Sequence, residues 1–404
     1  MRRLVWCSPL PPTRSGVADY ADELLPHVAS HCAVTVVRPP GWDASPPWGK
    51  LVSWCDADTP PAATQLLHLG NNPYHLWVAQ RLRAYGGVVV LHDTVLHHLL
   101  VEEAAATGDW GRFAEELELA AGPAGRALAQ ARRWGYFGPL DPFLFPARKA
   151  YLRYAQGVIV HNRTAAQAVK QEMPGLAVLQ VPLGVASLAG GDGRRFRNEH
   201  QIGEQELLAV HLGFLTPAKG LETLLRAMAA LKELQWPVRL LVVGEGVEGA
   251  KLSHRVRELG MDDRVQLLGY VTAQQLADVL AAADVGLVPR FPTAGETSAA
   301  VLRFLACGRP VIVCGYQQFL EFPAEVACRI PPGLAGIPDL VRWLVHFACN
   351  PGALAERKAM AKRFWQEGGY EPAQAAHALL AAVAELTEDK AGRGAKGLGG
   401  GRVV

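Results

Sequence analysis

Three groups of residues carry the types and spacing that chemistry needs. Glu296, Thr297 and Ser298 sit where an apolar strand-like run, residues 285–289, gives way to an apolar helical pattern. We read that helix as opening with this carboxylate and these two hydroxyls in its first turn. Free N–H groups at a helix start attract anions, and nearby hydroxyls add donors. A carboxylate does not suit phosphate but accepts readily from sugar hydroxyls. The combination points to a ligand with a phosphate end and a sugar end; plain N-capping by Thr297 or Ser298 is the alternative. Lys219 stands in a glycine-flanked stretch, residues 213–220, between a strand pattern and a helical one. A cation there can neutralise a phosphate leaving group as its charge develops; a solvated surface lysine is the alternative. His92 and Asp93 close the run Val88, Val89, Val90, Leu91, with His97 and His98 nearby. No further ligands cluster with them, so a polar pair lining a substrate cleft is favoured over a metal site.

The elements around these residues alternate. Short β-branched runs at 4–7, 33–37, 66–69, 88–91, 157–161 and 178–184 are separated by helical patterns. The same alternation returns at 207–212, 239–243, 265–268, 285–289 and 311–313. Such alternation predicts parallel sheets flanked by helices. Ligands bind such sheets beyond the carboxyl ends of their strands. Gly16, at the first strand-to-helix loop, would let a ligand approach the backbone or would simply serve a turn. Asn71 and Asn72 form a polar rim after the third strand, in a sequence that also suits a turn. Residues 244–249 fit G-x-G-x-x-G, the dinucleotide fingerprint. They belong to the second strand of their half rather than the first, and nothing else suggests hydride chemistry.

Length and composition bound the rest. A chain of 404 residues exceeds what a single core usually reaches, so two domains are expected. Half the residues are hydrophobic and the formal net charge is +2, which leaves no electrostatic case for nucleic acid as a partner. No apolar run approaches a bilayer span, and the seven scattered cysteines suit a reducing, cytoplasmic setting. Between 134 and 149, aromatic and apolar residues lie between Arg132 and Arg133 on one side and Arg148 and Lys149 on the other. That arrangement suits peripheral contact with a membrane or a lipid-linked substrate, or packing back on the protein. The expected organisation is an N-terminal domain over 1–186, a glycine-rich linker over 187–204 and a second domain over 205–370. A helix over 371–387 is expected to pack back on the first domain, with a disordered tail over 388–404.

Together these pieces resemble the retaining, nucleotide-sugar-dependent glycosyltransferases of group 1, family 4. The carriers are Ser15-Gly16, Val90 to Asp93, Gly213 with Lys219 and Gly220, and Gly244 to Gly246. Leu268 to Tyr270, Ala283 to Pro289 and Ala306 to Val313 complete the set. The resemblance implies a GT-B fold: α/β, two Rossmann-like domains with parallel sheets facing across a cleft. It implies transfer of a hexose from a nucleotide sugar to a saccharide or lipid-linked acceptor, with no cofactor and no metal. It further implies catalytic roles for His92, Lys219 and Glu296. Gly16, Lys219, Glu245, Tyr270, Glu296, Thr297, Ser298 and Arg303 become donor-binding, and Asn71, Asn72 and Asp93 acceptor-side.

Two departures stand out. Phe214 occupies the position of the family's phosphate-binding arginine, and Arg303 that of its second glutamate. Alignment on Cys307-Gly308 puts the first glutamate at Gly295, one residue before Glu296. Arg303 offers charge in place of that lost with Phe214, and Thr297 and Ser298 offer diphosphate donors. These departures keep two other readings in view: an epimerase or hydrolase of the same fold, and an inactive partner subunit.

Overall fold

The computed structural model describes residues 3–396 and divides into two compact units. The first comprises Met1–Gly184, Ala294–Thr297 and Pro372–Val404; the second comprises Val185–Thr293 and Ser298–Glu371.

The first unit is built on a seven-stranded parallel sheet, in the order β3-β2-β1-β4-β5-β6-β7. Its strands are β1 (Arg3–Cys7), β2 (Ala33–Val37), β3 (Ser53–Cys55), β4 (Thr64–Leu69), β5 (Gly87–Leu91), β6 (Ala155–Val160) and β7 (Val178–Gln180). The chain builds outward from β1 to β3, then returns to the other side of β1 for β4 to β7. The order reverses between β1 and β4, and there the loops diverge and open a crevice. β5 is buried along its whole length, as expected of a strand covered by helices on both faces. Between β5 and β6 the chain makes three longer helices, His97–Thr107, Trp110–Ala121 and Pro123–Arg133, and two short ones, Asp141–Leu144 and Lys149–Leu152. Their Leu99, Leu100, Phe113 and Leu117 join Tyr151 in the core under β5.

The second unit has a six-stranded parallel sheet, β10-β9-β8-β11-β12-β13. Its strands are β8 (Leu207–Leu212), β9 (Val238–Val243), β10 (Val265–Gly269), β11 (Val285–Val288), β12 (Val311–Cys314) and β13 (Ala327–Ile330). Here the reversal falls between β8 and β11. The core under this sheet joins Leu224, Leu225 and Met228 to Val242, Leu287 and Phe347.

Three expectations are corrected and two strands are added. The edge strands β3 and β13, of three and four residues, are added because Ser53-Trp54-Cys55 and Ala327-Cys328-Arg329-Ile330 hold no β-branched run to mark them. The expected linker over 187–204 contains the helix Gly193–Glu199, which packs on Ala273–Ala282 in the second unit. Asp192 caps that helix through the Arg195 N–H, and Asp278 ties it down by accepting from the Asp192 N–H at 2.7 Å. The boundary between the units lies at Gly184/Val185, and Ala294–Thr297 returns to the first unit. The C-terminal helix runs over Pro372–Lys396, so the expected disordered tail is helical through Lys396. The remainder, 397–404, lies outside the described residues. Within the first unit this helix packs along Gly16–Ala29.

Candidate active site

The first unit presents its loops beyond β1, β4, β5 and β6. Ser15 caps the helix Gly16–Ala29 by accepting from the Ala18 N–H at 3.1 Å, so Gly16 is the first helical residue. Nothing lies within 4 Å of where its Cβ would stand, and the space beside it is open. Asn71 and Asp93 are brought together: the Asn71 N–H donates to Asp93 Oδ2 at 2.8 Å. Asn71 Oδ1 in turn accepts from the Leu99 N–H, and Asn72 Oδ1 accepts from the Tyr74 N–H. All three predicted acceptor-side residues therefore stabilise the loops that carry them.

His92 belongs to a histidine cluster that sequence reasoning missed. Its Nε2 shares a proton with His68 Nδ1 at 3.0 Å. Its ring lies 5.1 Å from Tyr20 and 5.3 Å from His161, centroid to centroid. The His68 ring in turn lies tilted against Trp6, 4.2 Å between centroids. Burial, reinforced by the neighbouring histidines, holds both His68 and His92 well below their ordinary 6.5. Burial also pulls His161 down to about 4. His92 is therefore a neutral hydrogen-bonding group rather than an imidazolium acid. The signal for the cluster was present in the positions: His68, His92 and His161 all stand at or just past the ends of adjacent strands, β4, β5 and β6.

Ala294–Thr297 is held in the first unit by paired hydrogen bonds. Thr94 donates from both its N–H, at 2.7 Å, and its hydroxyl, at 2.9 Å, to the Ala294 carbonyl. The Asn162 amide donates to the Gly295 carbonyl and to the Thr297 hydroxyl, each at 2.9 Å. Gly295 has φ +78°, and a Cβ there would run into the Thr94 side chain. Only glycine meets both conditions without strain. Glu296 thus sits between two anchored neighbours.

This overturns the expected helix start. The helix covers Ala299–Ala306, with Ser298 as its cap through the Val301 N–H. Glu296 and Thr297 precede it, because the tied backbone at Ala294 and Gly295 keeps the chain out of helical conformation. Ser298 does what the capping alternative expected, and the Thr297 hydroxyl is engaged by Asn162.

In the second unit the strands flanking the reversal are β8 and β11. The turn after β8 folds as a short 3-10 helix, Pro217–Lys219. Gly213 has φ +134°, and a Cβ there would stand 3.2 Å from Lys219 Nζ. The glycine therefore makes room for the ammonium beside the strand end. The Gly244 backbone packs against the Gly213 carbonyl, and the Glu245 carbonyl accepts from the Leu215 N–H at 2.9 Å. Beneath lies His211, whose Nδ1–H donates to the Leu287 carbonyl at 2.9 Å. Burial, the Lys219 charge and, less strongly, the Arg290 charge pull His211 down to about 4.

Two further predicted donor residues lie on other elements of the second unit. Tyr270 follows β10, two strands away from β8, and is 59 % exposed. Arg303 lies in the last turn of its helix, not near its start. Among the described residues no group of three or more His, Cys, Asp or Glu is placed to hold a metal ion. His97, part of the weighed metal reading, is instead buried with Nδ1 bonded to the Phe145 carbonyl.

Comparison with known proteins bears on both units. Residues 206–333 match the family described as "Glycosyl transferases group 1". D-inositol 3-phosphate glycosyltransferase of Segniliparus rotundus is 30% identical over 176 residues, covering 43% of this chain and 38% of that protein. GDP-mannose-dependent alpha-(1-6)-phosphatidylinositol dimannoside mannosyltransferase of Mycobacterium tuberculosis is 34% identical over 145 residues, covering 35% of this chain and 36% of that protein. The chain thus spans under two-fifths of the length of either curated relative. Sucrose-phosphate synthase of Thermosynechococcus elongatus has the same fold over 96% of this chain and 100% of that one, with TM-score 0.67 at 16% identity. The chain accordingly has the GT-B fold, and its residues 206–333 match the group 1 glycosyl transferase family.

Proposed function

We propose that the protein is a retaining glycosyltransferase that moves a hexose from a nucleotide sugar to a saccharide or lipid-linked acceptor. One observation carries the reading: Lys219 stands at the carboxyl end of β8, at the reversal of a sheet whose sequence matches the group 1 domain. A fixed ammonium there binds the donor diphosphate and stabilises it as the sugar leaves. The acceptor class follows the curated relatives, whose names include an inositol phosphate and a phosphatidylinositol dimannoside. His92 and Glu296 serve as neutral hydrogen-bonding group and carboxylate toward the sugar. Fixed protein charge takes the part that a divalent ion plays elsewhere, so a chelator is expected to leave turnover unchanged.

The test is a thermal-shift screen against uridine, guanosine, adenosine and thymidine diphosphates, then sugar release from the matching nucleotide sugars with and without chelator. A ligand bound only by the folded state raises the melting temperature. Absence of both a shift and sugar release would end the proposal. Release of free sugar or an isomerised nucleotide sugar, with no transfer to polyol or lipid acceptors, would favour the hydrolase or epimerase reading.

A surface of the first unit supports peripheral membrane contact. Trp134, Tyr136, Phe137, Leu140 and Leu144 are all exposed, Trp134 at 75 % and Leu144 at 70 %. The Arg132 guanidinium lies 4.8 Å over the Phe137 ring, and Asp141 fixes the turn by accepting from the Gly138 N–H at 2.7 Å. Aromatic rings beside arginines suit the interface of an anionic bilayer. Among the described residues no helix is long and apolar enough to cross a membrane. The double substitution Trp134→Ala with Phe137→Ala is expected to weaken binding to phosphatidylglycerol vesicles by about tenfold or more. Sedimentation with vesicles measures it; equal partition of variant and parent would remove the contact.

A further inference from the structure

We infer that Arg290 is a second diphosphate-binding residue, acting with Lys219 in place of the arginine that Phe214 displaces. The inference rests on the nucleotide-sugar reading above and adds to it a residue that neither the motif spacing nor the family pattern singles out.

The sheet supplies the first reason. β8 and β11 are neighbours across the point where strand order reverses in the second unit. In such sheets a ligand binds outside the carboxyl ends of the strands, at this reversal. Lys219 comes from the loop after β8. Arg290 follows β11, which ends at Val288, by two residues.

Local packing supplies the second. The residues on either side of Arg290 are both fastened to the Lys219 turn. The Phe291 N–H donates to the Ala218 carbonyl at 2.9 Å. The Pro289 carbonyl lies against Gly220, where no side chain could be accommodated. Gly220 has φ +71°, so the turn is shaped for this approach. Backbone contacts at 218 with 291, and at 220 with 289, fix the two cations' attachment points side by side. Both charges also register on one buried group, since Lys219 and Arg290 each help to keep the His211 imidazole neutral.

Chemistry supplies the third. A nucleoside diphosphate leaving group gains negative charge over two phosphates, more than one ammonium balances. A guanidinium presents a planar fork of donors suited to phosphate oxygens, while an ammonium acts as a compact point charge. Phe214, half-exposed, offers neither. Arg290 therefore supplies at the end of β11 the fork that this chain lacks after β8.

The experiment compares wild type, Arg290→Gln and Arg290→Lys by calorimetric titration with the nucleoside diphosphates named above and with the corresponding nucleosides. The expected result is that Arg290→Gln weakens the bound diphosphate by about ten- to a hundredfold and leaves nucleoside affinity unchanged. Arg290→Lys is expected to lose less. Introducing Phe214→Arg into the Arg290→Gln variant is expected to restore part of the loss, which a merely structural role would not allow. A fold check by melting temperature accompanies each variant. If wild type binds a diphosphate and Arg290→Gln binds it equally well, the assignment of Arg290 fails while the functional reading stands. Parallel loss of nucleoside and diphosphate affinity also overturns the assignment. If wild type binds none of the four, the functional reading itself fails and Arg290 falls with it.

Discussion

Lys219→Ala is expected to lower kcat/KM for the nucleotide-sugar donor by on the order of a hundredfold to a thousandfold, the scale seen when one fixed donor to a developing anion is removed. The loss should fall mainly on kcat. The diphosphate is more highly charged at its separating bond as the sugar departs than in the bound donor, so the ammonium stabilises the departing state more than the bound one. Lys219 is suited to this because its position is built rather than floppy. A 3-10 turn carries it, Gly213 leaves room beside its Nζ, and the Phe291 N–H clamps the turn at Ala218. Lys219→Arg should recover part of the activity. Kinetics on both variants, with melting temperatures to confirm folding, provide the check. Activity of Lys219→Ala within a few-fold of the parent would remove Lys219 from the mechanism. Absence of turnover by the parent itself would instead favour the inactive-subunit reading.

Acid should unfold the protein well above the pH at which its carboxylates titrate. His75, His97 and His161, in the first unit, and His211, in the second, are each held to about 4, chiefly by burial. Burial also holds His68 and His92 well below 6.5. The unfolded chain takes up these protons near pH 6.5, and the folded chain does not until far lower. Stability is therefore complete above the unfolded value and falls as pH drops from about 6.5 toward 4. A histidine shifted from 6.5 to 4 costs about 2 kcal/mol at pH 5. Three such groups in one unit cost about 6 kcal/mol, comparable with the whole stability of a typical domain. Urea melts at pH 7 and pH 5 are expected to show a large, reversible fall in midpoint. A midpoint unchanged across that interval would mean that the histidines are open to protonation in the folded state.

What can be read from one chain differs between the fold and the site. The fold was legible because every buried parallel strand needs an apolar β-branched run, and the intervening helices need an amphipathic one. Both patterns are local. β3 and β13 are the exceptions, since three or four residues at a sheet edge need no such run. The resemblance to group 1 enzymes rested on strand-end residues in fixed order, and the match over residues 206–333 falls where most of those residues lie.

The site was legible only in part. Lys219 could be found because glycines mark the turn that carries it. The helix-start reading of Glu296, Thr297 and Ser298 failed because helix propensity says nothing of two hydrogen bonds from Thr94 and two from Asn162. Those bonds come from residues some 200 and 130 positions earlier, and they tie the chain just ahead of the helix. Arg290 and the cluster around His92 were hidden for the same reason. Their meaning comes from which strands are neighbours, β11 beside β8 and β4 beside β5 beside β6. By itself the sequence determined the elements and the residues at their ends, because local periodicity and turn chemistry suffice for that. Only the tertiary structure decided which of those ends meet, because strand order and long-range backbone hydrogen bonds leave no trace in local pattern.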